Sequence, residues 1–194
     1  MNEDKSVPLL IQVISSVSLL APGTIADLQN IIQFKIVKSN TELLKFGQIA
    51  RGMYFINQGL ARVYYQHKDL DVTDYFAIDG QFIGAVPSVF TLQPSRKAIQ
   101  IVEDSEVSYF WIKDFEECCA QHHDLERAAR KLAYFALVEE QDRIEKLRFY
   151  SAAERYLELE KKYPGISNRC PLKYIASYLG ISQVSLSRIR AGVQ

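Results

Sequence analysis

Between Lys173 and Arg190 the chain carries Lys173, Ser182, Gln183, Ser185, Ser187, Arg188 and Arg190 on a regular apolar frame, "KYIASYLGISQVSLSRIR". Every one of these side chains can donate a hydrogen bond, and none is an anion. An arginine can bridge both acceptors of a guanine edge, and a glutamine can read an adenine. Lys173, Ser182, Ser185 and Arg190 suit phosphate oxygens, which set register rather than sequence preference. The surrounding charge fits that chemistry. From Lys161 to Gln194 the charged residues are Lys161, Lys162, Arg169, Lys173, Arg188 and Arg190, with no carboxylate among them. Such a one-signed end suits a polyanionic partner.

The apolar frame has helix-turn-helix spacing. Ala176 is small where two helices must cross closely, and Gly180 tolerates the left-handed backbone of the turn. Ile175, Leu179, Ile181, Leu186 and Ile189 occupy the inward positions, and Ser182 is placed to cap the second helix. That arrangement turns Gln183, Val184, Ser187 and Arg188 outward, where a recognition helix meets base edges in the major groove. The competing reading is a packing module with a polar face, for ligand sensing or protein interaction without DNA.

Other chemistry finds little support. Cys118 and Cys119 are adjacent, Cys170 stands apart, and no C-x-x-C spacing exists, so neither a disulfide framework nor a zinc site is expected. His67, His122 and His123 have no catalytic or haem-ligating context, and no phosphate loop or nucleophile motif is present. No enzyme activity, metal or cofactor is expected, and the location is read as cytoplasmic. The apolar run Val7–Leu20 is interrupted by Pro8, Gln12 and several serines and preceded by Glu3 and Asp4. It reads as a helix of a soluble domain, not a secretion signal, and no stretch is long enough to span a membrane.

The 194 residues, 48% of them apolar, can build one large domain or two small ones to hold these side chains. The formal net charge is zero but unevenly spread: residues 1–125 hold ten basic and fifteen acidic side chains, residues 126–194 thirteen and eight. Residues 9–32 read as short helices broken at Ala21-Pro22-Gly23. From Gln33 to Ile112 come short apolar runs (Met53–Ile56, Leu60–Tyr65, Val72–Ile78, Ala98–Val102, Val107–Ile112) separated by turn residues, which predict antiparallel strands. Beyond Cys119, Leu125, Ala128, Leu132, Phe135 and Leu147 recur at helical steps. A helix of roughly 25 residues is about 37 Å long, and either packs on the β domain or pairs with its symmetry mate. Ser151 and Glu154 form a capping box after it, and Pro171 opens a further helix.

This order of elements resembles the Crp/Fnr family of bacterial transcription regulators over nearly the whole chain. The resemblance is carried by "FGQIARGMYFINQGLARVYY" (46–65), "DGQFIGAVPS" (79–88), "AIQIVEDSEVSYF" (98–110) and "PLKYIASYLGISQVSLSRIR" (171–190). It implies an α+β chain: an antiparallel β-roll of jelly-roll type (1–122), a dimerisation helix (123–150) and a helix-turn-helix DNA-binding domain (151–194). The implied partners are a second copy, a near-palindromic double-stranded DNA operator, RNA polymerase and a small-molecule effector of unknown identity. The seam would use Leu125, Ala128, Leu132, Phe135 and Leu147. In cyclic-nucleotide-binding members a Gly-Glu pair holds the ribose and an Arg-Ser/Thr pair the phosphate. Gly84, Ser95, Arg96 and Lys97 stand at those places, but Ala85 replaces the glutamate and Lys97 the hydroxyl residue. Cyclic AMP is therefore not the expected effector, and Arg96 and Lys97 hold another anion or form a solvated turn. Val184 stands where the family's recognition helix commonly has a glutamate, so an acceptor for cytosine is missing. The iron–sulfur variant of the family needs an N-terminal cysteine cluster, whereas the first cysteine here is Cys118.

Overall fold

The computed structural model describes residues 7–192 except Asp69, so Glu3, Asp4 and the outermost ends of the chain lie outside the described residues. Helices α1 (Leu9–Val17) and α2 (Pro22–Ile31) precede strands β1 (Gln33–Val37), β2 (Glu42–Leu44), β3 (Gly52–Gln58), β4 (Ala61–His67), β5 (Leu70–Ala77) and β6 (Gln81–Ile83). Helix α3 (Val86–Thr91) leads to β7 (Ala98–Ile101) and β8 (Ser105–Trp111). The rest is helical: α4 (Ile112–Gln121), α5 (His123–Phe149), α6 (Ala152–Lys162), α7 (Ile166–Arg169), α8 (Leu172–Leu179) and α9 (Gln183–Arg190). The expected break near Pro22 falls slightly earlier. Pro22 is the first residue of α2, where its missing N–H costs nothing.

The strands form two antiparallel sheets, ordered β1-β8-β3-β6 and β2-β7-β4-β5. Strand alternation divides their side chains among three cores. Ile56, Val63, Ile99 and Val107 meet between the sheets. One residue along β3, Phe55 turns to the outside of the first sheet, where Phe110 joins it under α1, α2 and α4. On the outside of the second sheet Leu60, Phe76 and Ile78 meet α6, α7, α8 and α9. The β3–β4 turn is fixed by Gly59, whose φ of 123° and contact with Ser105 exclude a Cβ.

The beginning of α5 belongs to the second of these cores. Leu125 and Ala128 are 0% exposed and Leu132 packs beside them, against Leu10, Ile14 and Phe55 of the same chain. This corrects the expected dimer seam at Leu125, Ala128 and Leu132, which are spent on the chain's own core. Phe135 and Leu147 are exposed. At about 100° per residue, Leu125, Ala128, Leu132 and Arg143 share one side of α5. Tyr134, Leu137, Val138, Gln141 and Ile144 occupy the opposite side, and the four large apolar ones among them are all exposed.

Candidate nucleic-acid interface

The two helices of the expected motif are α8 and α9. Gly180 takes the left-handed conformation (φ 67°) that ends α8, and Ile181 N–H reaches back to the Ala176 carbonyl at 3.0 Å. Ser182 Oγ then accepts from Ser185 N–H at 3.0 Å and starts α9. Ile175, Ala176, Leu179 and Leu186 are fully buried, while Ile181 and Ile189 are half-buried. The apolar frame is as the spacing requires.

Gln183, Val184, Ser187 and Arg188 are all exposed. At about 100° per residue they span an arc of about 140° opposite Leu186 and Ile189. Ser185 and Arg190 flank that arc and are exposed as well, as are Ser182 and Lys173. The Lys173 ammonium lies 4.8 Å from the Tyr174 ring centre. The resulting face carries hydroxyls, one amide and cations, and among the described residues no carboxylate pairs with them.

What holds this head in place was not legible in its own sequence. Arg62, 1% exposed, lies in β4 beneath α8. Its guanidinium grips Asp71 through two bonds of 2.5 and 2.6 Å, and donates to Gln100 (2.8 Å) and Thr73 (3.1 Å). It is sandwiched between the Tyr64 ring at 4.0 Å and the Tyr174 ring of α8 at 3.5 Å. Beside it Ser177 of α8 accepts from Thr73 N–H and bonds the Thr73 hydroxyl, both at 3.1 Å. Arg169 of α7 reaches Glu103 (2.6 Å), Asp79 (3.1 Å) and the Gly59 carbonyl (2.8 Å). An arginine inside the apolar run "LARVYY" was the available clue, because a charge there must find partners.

The β-roll residues expected at a ligand position are brought only partly together. Gly84 is buried, and the Tyr75 hydroxyl donates to its carbonyl (2.6 Å) while accepting from its N–H (3.0 Å). A side chain at Gly84 would meet Met53 Sδ at 2.5 Å, and Ala85 is fully buried at the start of α3. Ser95 Oγ closes a tight turn on the Lys97 backbone, and Arg96 projects into solvent. Lys97 bonds Asp74 at 2.5 Å, and Arg143 of α5 bonds the same carboxylate at 3.0 Å. Burial of Asp74 opposes its ionisation, but the Lys97 bond and the two cations outweigh it and hold the carboxyl below its usual range.

Burial pushes the Cys119 and Cys170 thiols up to about 12, so neither is a ready nucleophile. His122 joins Thr24 and Asp27 at the junction of α2 with α4 and α5, a structural role. Among the described residues no cluster could hold a metal ion, and no helix is long and apolar enough to cross a membrane.

The described residues thus form a β-roll followed by a long helix and a helix-turn-helix. Residues 34–122 match the cyclic nucleotide-binding domain family. Three solved structures illustrate the likeness. FixK2 from Bradyrhizobium japonicum is 17% identical with a TM-score of 0.70, over 84% of each chain. A Crp/Fnr-family regulator from Eubacterium rectale is 14% identical with a TM-score of 0.67, over 89% of this chain and 83% of that one. The catabolite activator protein of Thermus thermophilus is 17% identical with a TM-score of 0.58, over 93% and 85%. No curated protein matches by sequence. The chain shares its fold with these solved Crp/Fnr-family regulators.

Proposed function

We propose that this chain is a sequence-specific DNA-binding transcriptional regulator that acts as a homodimer on a near-palindromic operator and carries out no catalysis. The observation that carries this reading is the outward arc of α9, where Gln183, Ser187 and Arg188 stand exposed above an apolar frame, in a stretch from Lys161 to Gln194 with basic but no acidic side chains. Val184, 65% exposed among them, suits an apolar contact such as a thymine methyl. Lys173, Ser182, Ser185 and Arg190 hold the flanking phosphates. Two heads related by a two-fold axis read inverted half-sites, and the complex works through RNA polymerase.

Selection of bound fragments from randomised or genomic DNA tests the reading. The expected product is an inverted repeat, and Arg188→Ala should cost on the order of 1–3 kcal/mol while relaxing one base position in each half-site. Recovery of no enriched repeat favours the competing module that does not touch DNA. An unchanged preference in Arg188→Ala would mean that α9 is presented by a different face.

A further inference from the structure

A cavity of about 360 Å³ opens where α5, α6 and α8 meet, and neither α9 nor Gly84 contributes to its lining. That size is ordinary for a small-molecule site. Its walls combine charge with apolar surface. Leu147, Leu159, Leu179 and the Tyr178 ring supply the apolar part.

The charges do not balance. Arg143, Lys146, Arg155, Lys161 and Lys162 face Glu139, Asp142 and Glu158. Lys146 takes Asp142 (2.7 Å) and Glu158 (2.8 Å), Lys161 shares Glu158 (2.7 Å), and Lys162 takes Glu139 (2.7 Å). Arg143 shares Asp74 with Lys97 and reaches Glu140 only at 3.5 Å. Arg155 has no carboxylate among the described residues. Its two Nη groups donate to the neutral carbonyls of Tyr150 (2.6 Å) and Leu179 (2.9 Å). Its Nε–H is the one buried side-chain polar atom left without a partner among the described residues. An ionised donor left unsatisfied is costly, and natural structures rarely keep one without use.

We infer that this cavity binds a small phosphate ester, its phosphate on Arg155 with Lys161 at the rim and its organic body against Leu147 and Tyr178. A phosphate supplies the missing anion and enough acceptor oxygens to satisfy a guanidinium that turns toward it. The site joins the long helix to the first helix of the head, so an occupied cavity ties the two together. That regulatory consequence rests on the DNA-binding reading. Ligand binding does not, and is therefore measured without DNA.

Isothermal titration of the full chain with AMP, adenosine and inorganic phosphate separates head from body. AMP should bind saturably and more tightly than phosphate, and adenosine should give no saturable heat. Arg155→Ala and Lys161→Glu should each weaken AMP by about tenfold or more, the worth of one charge-assisted contact. Arg96→Ala, an exposed residue outside the cavity lining, should leave AMP affinity within about twofold, the scatter expected of a residue that shares no partner with the ligand. If Arg155→Ala fails to fold for want of its carbonyl contacts, Lys161→Glu at the exposed rim decides alone. No AMP binding by the unaltered chain overturns the inference, as does full affinity in the rim variant. Loss of binding in Arg96→Ala would place the ligand in the β-roll and overturn it equally.

Discussion

The resemblance puts Ala85 where cyclic-nucleotide-binding members carry their ribose-binding glutamate. A carboxylate there would take the ribose hydroxyl of a cyclic nucleotide through a charge-assisted bond typically worth about 1.5–3 kcal/mol. The methyl group in its place is buried, and the neighbouring Gly84 is already held through both backbone groups by Tyr75. Lys97 is engaged too, since Asp74 occupies the ammonium that would face a phosphate. Recognition by this route would have to break an ion pair before making one. Calorimetric titration with cyclic AMP and cyclic GMP should show no binding at micromolar or tighter affinity. Micromolar binding that disappears in Arg96→Ala would show that the pocket works despite these changes. The expectation of a missing carboxylate was legible in the sequence, because it rests on one residue beside one glycine. It could not show Tyr75 or Asp74 at the same spot, since strand pairing alone brings them there.

At the scale of elements, what was legible follows from how local the determining chemistry is. The starts of α6 and α9 were visible because a capping box at Ser151 and Glu154 and a serine at 182 act within one turn. The strands of the β-roll were visible as apolar runs between turns, but β1, β2 and β6 were too short or too polar to stand out. The faces of α5 were misread for a physical reason. A helical apolar stripe reports that something covers it, and here the cover from Leu125 to Leu132 is α1 and the first sheet. The side left for a partner is that of Tyr134, Leu137, Val138 and Ile144. The pair Leu137→Glu and Val138→Glu would set like charges face to face across a two-fold seam, and should give folded monomers in sedimentation. Leu132→Glu, by contrast, should damage the fold itself, because it places a charge beside Leu10 and Phe55. Intact dimers in the Leu137 and Val138 double variant would put the interface elsewhere on the molecule.

On the scale of the whole molecule, the break at Tyr150-Ser151 invites a picture of DNA-reading heads on free hinges, and the packing argues against it. The head and the β-roll share one core. Leu60, Phe76 and Ile78 of the β-roll complete the cluster formed by Leu159, Tyr163, Ile166, Ile175 and Leu179. Around this core Arg62 under Tyr174, the Ser177–Thr73 bonds and the fork of Arg169 fix the orientation of α8, and with it that of α9. Swinging the head away would expose Phe76 and strip a buried guanidinium of its aromatic cover. The two parts should therefore unfold together. Trp111 is the only tryptophan and lies in β8, so its fluorescence follows the β-roll, whereas far-UV circular dichroism is dominated by the helices. In urea the two signals should change at one midpoint. Phe76→Ala removes a buried ring from the shared core and should cost about 3–5 kcal/mol, drawing both signals to lower urea if the coupling holds. Loss of helical signal while Trp111 keeps its native emission in the unaltered chain would show the opposite: a head tethered to the β-roll but folded independently of it.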